Sequence, residues 1–149
     1  MDNLRPLAAT CISSLLDAMA LQGTCLDKRT PTVYDAVAIP PITVEQYLSR
    51  ILSISGASVD ILISALVHID SLVTSGEVPA ITPYNVHRLL ATSLLVTSKF
   101  ASDVHYNNRA WSFISGMELA EVNRLEETFL DSLGFQLMVK ETVYRVYES

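Results

Sequence analysis

The sequence predicts an all-α fold: five helices in one domain, with an additional N-terminal helix. Three observations carry that prediction. Apolar residues recur at spacings of three and four along most of the chain, and strand-like alternation is nearly absent. Capping residues and glycines punctuate the periodic segments where helices should start and stop. One segment is apolar almost all round, as a buried central helix must be. The length of 149 residues suits one domain with a sizeable core.

Leu4, Leu7, Ala8, Cys11, Leu15 and Met19 repeat at helical spacing, so an N-terminal helix is expected from about Leu4 to Leu21, stopped by Gly23. It is expected to pack on the domain. Pro31, Pro40 and Pro41 make residues 24–42 an extended connection. Thr43 and Gln46 have capping-box spacing and open the next helix, whose apolar face is Val44, Tyr47, Leu48, Ile51 and Leu52 and whose stop is Gly56. Ser58 caps a helix to Ser75, with Val59, Leu62, Ile63, Leu66, Val67 and Val73 inward and Gly76 ending it. Thr82-Pro83 starts the central helix, which runs to Ala101. Its polar positions, Thr92, Ser93, Thr97 and Ser98, are small enough to admit neighbouring helices. A short helix follows Asn107-Asn108, read as turn and capping chemistry, and a last one runs from Glu118 to Leu133 before Gly134.

Composition limits the function. Half of the residues are hydrophobic, 17% are charged, and mean hydropathy is +0.33, which calls for a large core and an apolar surface for a partner. No helical segment approaches the ~20 apolar residues of a membrane span, and Pro6 and Asp17 interrupt the stretch that a signal peptide would need. Cys11 and Cys25 form no CxxC and read as reduced thiols. A cytoplasmic or nuclear protein is expected. The net charge of −6 and pI near 4.9 argue against a nucleic-acid binder, which needs a basic footprint.

The last helix holds the residue that stands out. Leu119, Val122, Phe129, Leu130 and Leu133 form an apolar stripe, and steps of about 100° put Glu126 in its middle. Glu118, Glu121, Glu127 and Asp131 lie off it. A carboxylate there needs a partner, because burying a lone charge is costly. Lys99, near the end of the central helix, is the natural one. Two readings stay open: an internal ion pair that fixes helix packing, or a charged pair at the rim of an apolar patch, offered to a partner's backbone.

His87-Arg88-Leu89-Leu90-Ala91 through Ser98-Lys99-Phe100, then Asp103 to Asn108, Asn123-Arg124-Leu125-Glu126 and Leu133-Gly134-Phe135, taken in order, resemble the cyclin box. With Pro41 to Ile51 and His68-Ile69-Asp70, the chain is similar to single-box P/U-type cyclins of the phosphate-pathway kind. The resemblance divides the chain into an N-terminal helix and linker (1–38), a five-helix cyclin box (39–138) and a C-terminal tail (139–149). It implies a regulatory subunit that docks on the C-helix of a cyclin-dependent protein kinase and activates it allosterically. Lys99 and Glu126 match the family's kinase-contacting Lys and Glu. Val96, Phe100, Leu130, Phe135 and Leu137 would be apolar contacts, and Arg50 and Asp70 match a pair that braces the fold. The chain departs from the pattern in having Ser115-Gly116 for Gly-Gly and Glu118 for a Ser or Thr cap. It also lacks a second box and the substrate-docking motif of two-box cyclins.

No enzyme is expected. There is no phosphate loop, nucleophile elbow or His-Glu-x-x-His, and no cofactor, metal, membrane or small-molecule substrate is implied. His68 reads as a satisfied core or interface histidine; His87 and His105 read as surface or loop groups. Trp111 reads as core. The alternative function is a cyclin-fold adaptor or scaffold, in transcription or signalling, without kinase activation.

Overall fold

The computed structural model describes Leu16, Tyr34, residues 41–76, Val78, 81–82, 85–101 and 107–134. Among these residues the chain is helical with no strand. Five helices are described in full: α1 (Val44–Ser55), α2 (Val59–Ser75), α3 (Val86–Ala101), α4 (Asn108–Ser115) and α5 (Leu119–Ser132).

The start of α1 is the capping box that the sequence spells. The Gln46 amide donates to Thr43 Oγ1 at 3.1 Å, and the Thr43 amide donates back to Gln46 Oε1 at 3.2 Å. Both satisfy amides that the helix cannot pair internally. Val44, Tyr47, Leu48, Ile51 and Leu52 are its buried residues, as predicted. Gly56 ends the helix at φ 68°, a left-handed conformation that costs glycine little. Ser58 then caps α2 through the Ile61 amide. Val59 and Val73 are only half-buried rather than fully inward.

Helix α3 is the hub, packing against α1, α2 and α5. Apart from Arg88, every residue from Val86 to Ser98 is buried. The small polar positions do what their size allows. Ser93 Oγ donates to the Ala65 carbonyl of α2 at 2.6 Å, and Thr97 Oγ1 bonds His68 Nδ1 at 2.9 Å. His68 is thus the satisfied core histidine that was expected. His87 is not a surface group. It is buried and its Nε2 bonds the Ile42 carbonyl at 2.7 Å, because its position on α3 faces the segment leading into α1. Thr82 accepts the Val86 amide at 3.0 Å, the first bond an N-cap there should accept; Pro83 lies outside the described residues.

Asn107 caps α4 through the Ala110 amide at 2.9 Å. Trp111 is fully buried, as is Phe129 of α5, and truncating either to Ala should cost about 3–5 kcal/mol. Glu118 makes no side-chain capping bond at the start of α5, the weakness expected of a Glu there. The buried line of α5 is Val122, Leu125 and Phe129. The face is therefore centred on Leu125, and Glu126 sits on its flank rather than in its middle.

The predicted N-terminal helix, residues 24–40 of the extended connection, His105 and the tail from Phe135 lie outside the described residues, with two exceptions. Leu16 is helical and fully buried in the same core. Tyr34 is buried with its ring edge-on to Phe129, centroids 6.4 Å apart.

Candidate functional site

Lys99 and Glu126 meet. Lys99 Nζ lies 2.8 Å from Glu126 Oε2, joining the end of α3 to the middle of α5. The side chains keep 27% and 18% of their exposure, so the pair is neither sealed in the core nor free in solvent. Lys99 Nζ also donates to Asn108 Oδ1 at the start of α4. Asn108 Nδ2 donates to Glu126 Oε1 at 2.8 Å and to Asn123 Oδ1 at 2.7 Å. Three helices therefore converge on one closed ring of Lys, Asn and Glu, with Asn123 attached at its exposed side.

Phe100, the residue after Lys99, is 53% exposed although large and apolar. Leu130, one turn beyond Glu126, is partly buried against the core. A pair of opposite charges beside a half-exposed ring offers a partner both polar and apolar contacts.

The remaining residues carried over as contacts fall differently. Val96 is 2% exposed and belongs to the core, because its side of α3 faces neighbouring helices; it gives a partner no surface. Phe135 and Leu137 lie outside the described residues. Arg50 is not joined to Asp70 among the described residues. It donates from a guanidinium nitrogen to the Phe113 carbonyl at 3.1 Å, holding α1 against the C-terminal end of α4, where a cation also suits the helix dipole. Arg50 still ties two elements together, through another partner.

A second ion pair escaped the sequence reading. Arg88 Nε bonds Glu121 Oε1, linking the start of α3 to the first turn of α5. It lines an open cleft of about 360 Å³ with Tyr47, Arg50, His87 and Met117 among its walls. Tyr47 donates to the Ser115 carbonyl at 2.6 Å, and burial pushes its phenol up to about 12. The partial offsets come from the nearby Arg50 and Arg88.

Sequence reasoning also missed Asn108 and Asn123. Signals for both existed. Only one of two adjacent asparagines can cap α4, which left Asn108 unexplained. Asn123 stands three residues before Glu126 and so shares its side of α5.

Among the described residues no helix is long and apolar enough to cross a membrane, and no group of three His, Cys, Asp or Glu is placed to hold a metal ion.

A bundle around one central helix, with a Lys–Glu pair presented between α3 and α5, defines the class of fold that the resemblance implied. The chain matches the cyclin family over residues 8–137. Cyclin-U4-3 of Arabidopsis thaliana is 33% identical over 145 residues, which cover 97% of this chain and 66% of that relative. Cyclin-U4-1 of the same plant is 35% identical over 144 residues, covering 93% of this chain and 71% of the relative. Cyclin-P1-1 of Oryza sativa subsp. japonica is 37% identical over 108 residues, covering 72% and 41%. The chain spans about two thirds of the length of the U-type relatives it matches. It belongs to the cyclin family, with similarity to U-type and P-type members, and that membership goes with a regulatory role. The family match starts at residue 8 and so takes in most of the segment set apart above as 1–38.

Proposed function

We propose that this chain is the regulatory subunit of a cyclin-dependent protein kinase, acting in the cytoplasm or nucleus and supplying no chemistry of its own. The surface around Lys99, Glu126, Phe100 and Leu130 docks on the kinase's C-helix. The observation that carries the reading is the Lys99–Glu126 pair, built before any partner arrives and flanked by the half-exposed Phe100.

The mechanism is a population shift. A kinase of this class holds its C-helix displaced, so that its active-site Lys–Glu pair is broken. A surface that binds the inward helix more tightly moves the equilibrium to the active arrangement. Moving it from 1:99 to 99:1 needs about 5.5 kcal/mol of differential binding. One partly exposed ion pair contributes a fraction of that, so the apolar surface must supply most of it.

The test is a tagged pull-down from native extract, with mass spectrometry and a kinase assay on the eluate. The expected result is a cyclin-dependent kinase whose activity requires this chain and is lost with Lys99→Ala/Glu126→Ala. A clean pull-down without a kinase overturns the proposal and leaves the adaptor reading.

A further inference from the structure

We propose that Asn108 is the positioning residue of the docking surface: it holds Lys99 and Glu126 in their presented geometry and orients Asn123 as a further polar contact beside them. This rests on the docking reading above and deepens it.

Chemistry fixes the orientation of every group in the cluster. Lys99 can only donate, so the Asn108 atom facing it must be the amide oxygen. The ionised Glu126 can only accept, so the Asn108 atom facing it must be the amide nitrogen. That nitrogen has two hydrogens. One goes to Glu126 Oε1 and the other to Asn123 Oδ1, at 2.8 and 2.7 Å. Both donor hydrogens of Asn108 are then used, and the Asn123 amide has a fixed sense: oxygen inward, NH2 outward on an exposed residue.

What the cluster has left over is specific. Lys99 uses two N–H groups within it, on Asn108 and Glu126, and keeps a third. Asn123 keeps its two amide hydrogens. Glu126 keeps acceptor capacity on both oxygens. A row of donors beside an acceptor, preset in direction, matches the alternating C=O and N–H groups of a partner's backbone rather than any single charged side chain. Presetting matters because each long side chain immobilised on binding otherwise costs about 0.5–1.5 kcal/mol. Asn108 is the one side chain in the cluster that bonds all three others. It reaches them from α4, a helix that carries none of the expected kinase contacts.

A positioning role and a merely structural role differ in a double-mutant cycle. The experiment measures affinity of the full chain for the kinase recovered in the pull-down, together with side-chain amide 15N relaxation of the free chain. Asn108→Ala is expected to weaken binding about 10-fold in the wild-type background and less than about 2-fold in the Lys99→Ala/Glu126→Ala background. Asn108→Asp is expected to weaken it more than Ala does. An acid suits the first turn of α4, so the helix is kept, but Asp cannot donate to Glu126 and repels it. In the free chain the Asn123 NH2 should be ordered, and should become mobile in Asn108→Ala. Equal loss in both backgrounds, or an Asn123 amide as mobile in wild type as in the variant, overturns the inference and leaves the docking reading standing. A pair variant that binds like wild type overturns the docking reading itself, and the inference with it.

Discussion

Two ion pairs join α3 to α5: Arg88–Glu121 near the start of α3 and Lys99–Glu126 near its end, about three helical turns away. Their exposures are almost the same, 23% and 20% for the first and 27% and 18% for the second. Burial therefore does not separate them; their neighbours do. Around Arg88–Glu121 the polar groups are turned to the chain's own carbonyls: the buried Tyr47 to Ser115, His87 to Ile42, and the exposed Arg50 to Phe113. Around Lys99–Glu126 one asparagine, Asn108, closes a ring and a second, Asn123, hangs from it with its donors facing outward, and Phe100 stands half-exposed alongside. On the docking proposal, the first pair is a clamp between helices and the second is also part of a surface. What an ion pair's neighbours still have to offer is the better guide to its role.

That contrast can be broken by experiment. The largest expected effect is on the second pair: Lys99→Ala/Glu126→Ala should weaken kinase binding about 100-fold, close to 2.8 kcal/mol, while the melting temperature moves by only a few degrees. A variant that loses stability rather than affinity would make both pairs clamps. Next comes Tyr47, beside the first pair. Its phenol is raised to about 12 by burial, so the folded chain holds that proton more tightly than the unfolded one. Its contribution is complete below pH 10 and is lost between about 10 and 12, a loss on the order of 3 kcal/mol. Chemical denaturation across that range should show a smaller alkaline loss in Tyr47→Phe than in wild type, with kinase binding unaffected at neutral pH. Phe100→Ala should weaken binding about 10-fold, measured by titration calorimetry, with unchanged denaturation. The smallest effect is expected from Arg88→Ala/Glu121→Ala: a stability loss of about 1 kcal/mol or less, read by urea unfolding, with affinity within about 2-fold of wild type. A large affinity loss there would erase the distinction.

Much of the site was legible in the sequence, and its limits are instructive. Glu126 drew attention as an acid among apolar residues, and Lys99 was the cation in reach on the helix that had to pack against it. That inference survived even though the apolar face of α5 is centred on Leu125, because a flank position still brings Glu126 to the end of α3. Glu121 lies off the apolar stripe and carries no signal of its own, since pairing with Arg88 depends on how α5 is rotated against α3. Arg50 was matched to Asp70, whereas the fold offers it the end of α4. Val96 matched a contact motif, yet the neighbours of α3 cover it.

The helices and most of their ends are legible in local sequence: the Thr43–Gln46 box, the Ser58 cap, the Asn107-Asn108 capping pair, the Gly56 and Gly76 stops, and α3 as the central element. These are settled within a turn or two of chain, by capping bonds and by the period of the apolar residues. Helix packing sets which polar groups meet: Asn108 with Lys99, Glu126 and Asn123, His87 with Ile42, Arg88 with Glu121. Such meetings depend on the rotation and crossing of helices distant in sequence. A shift of one residue in a helix face, about 100°, is enough to change every partner.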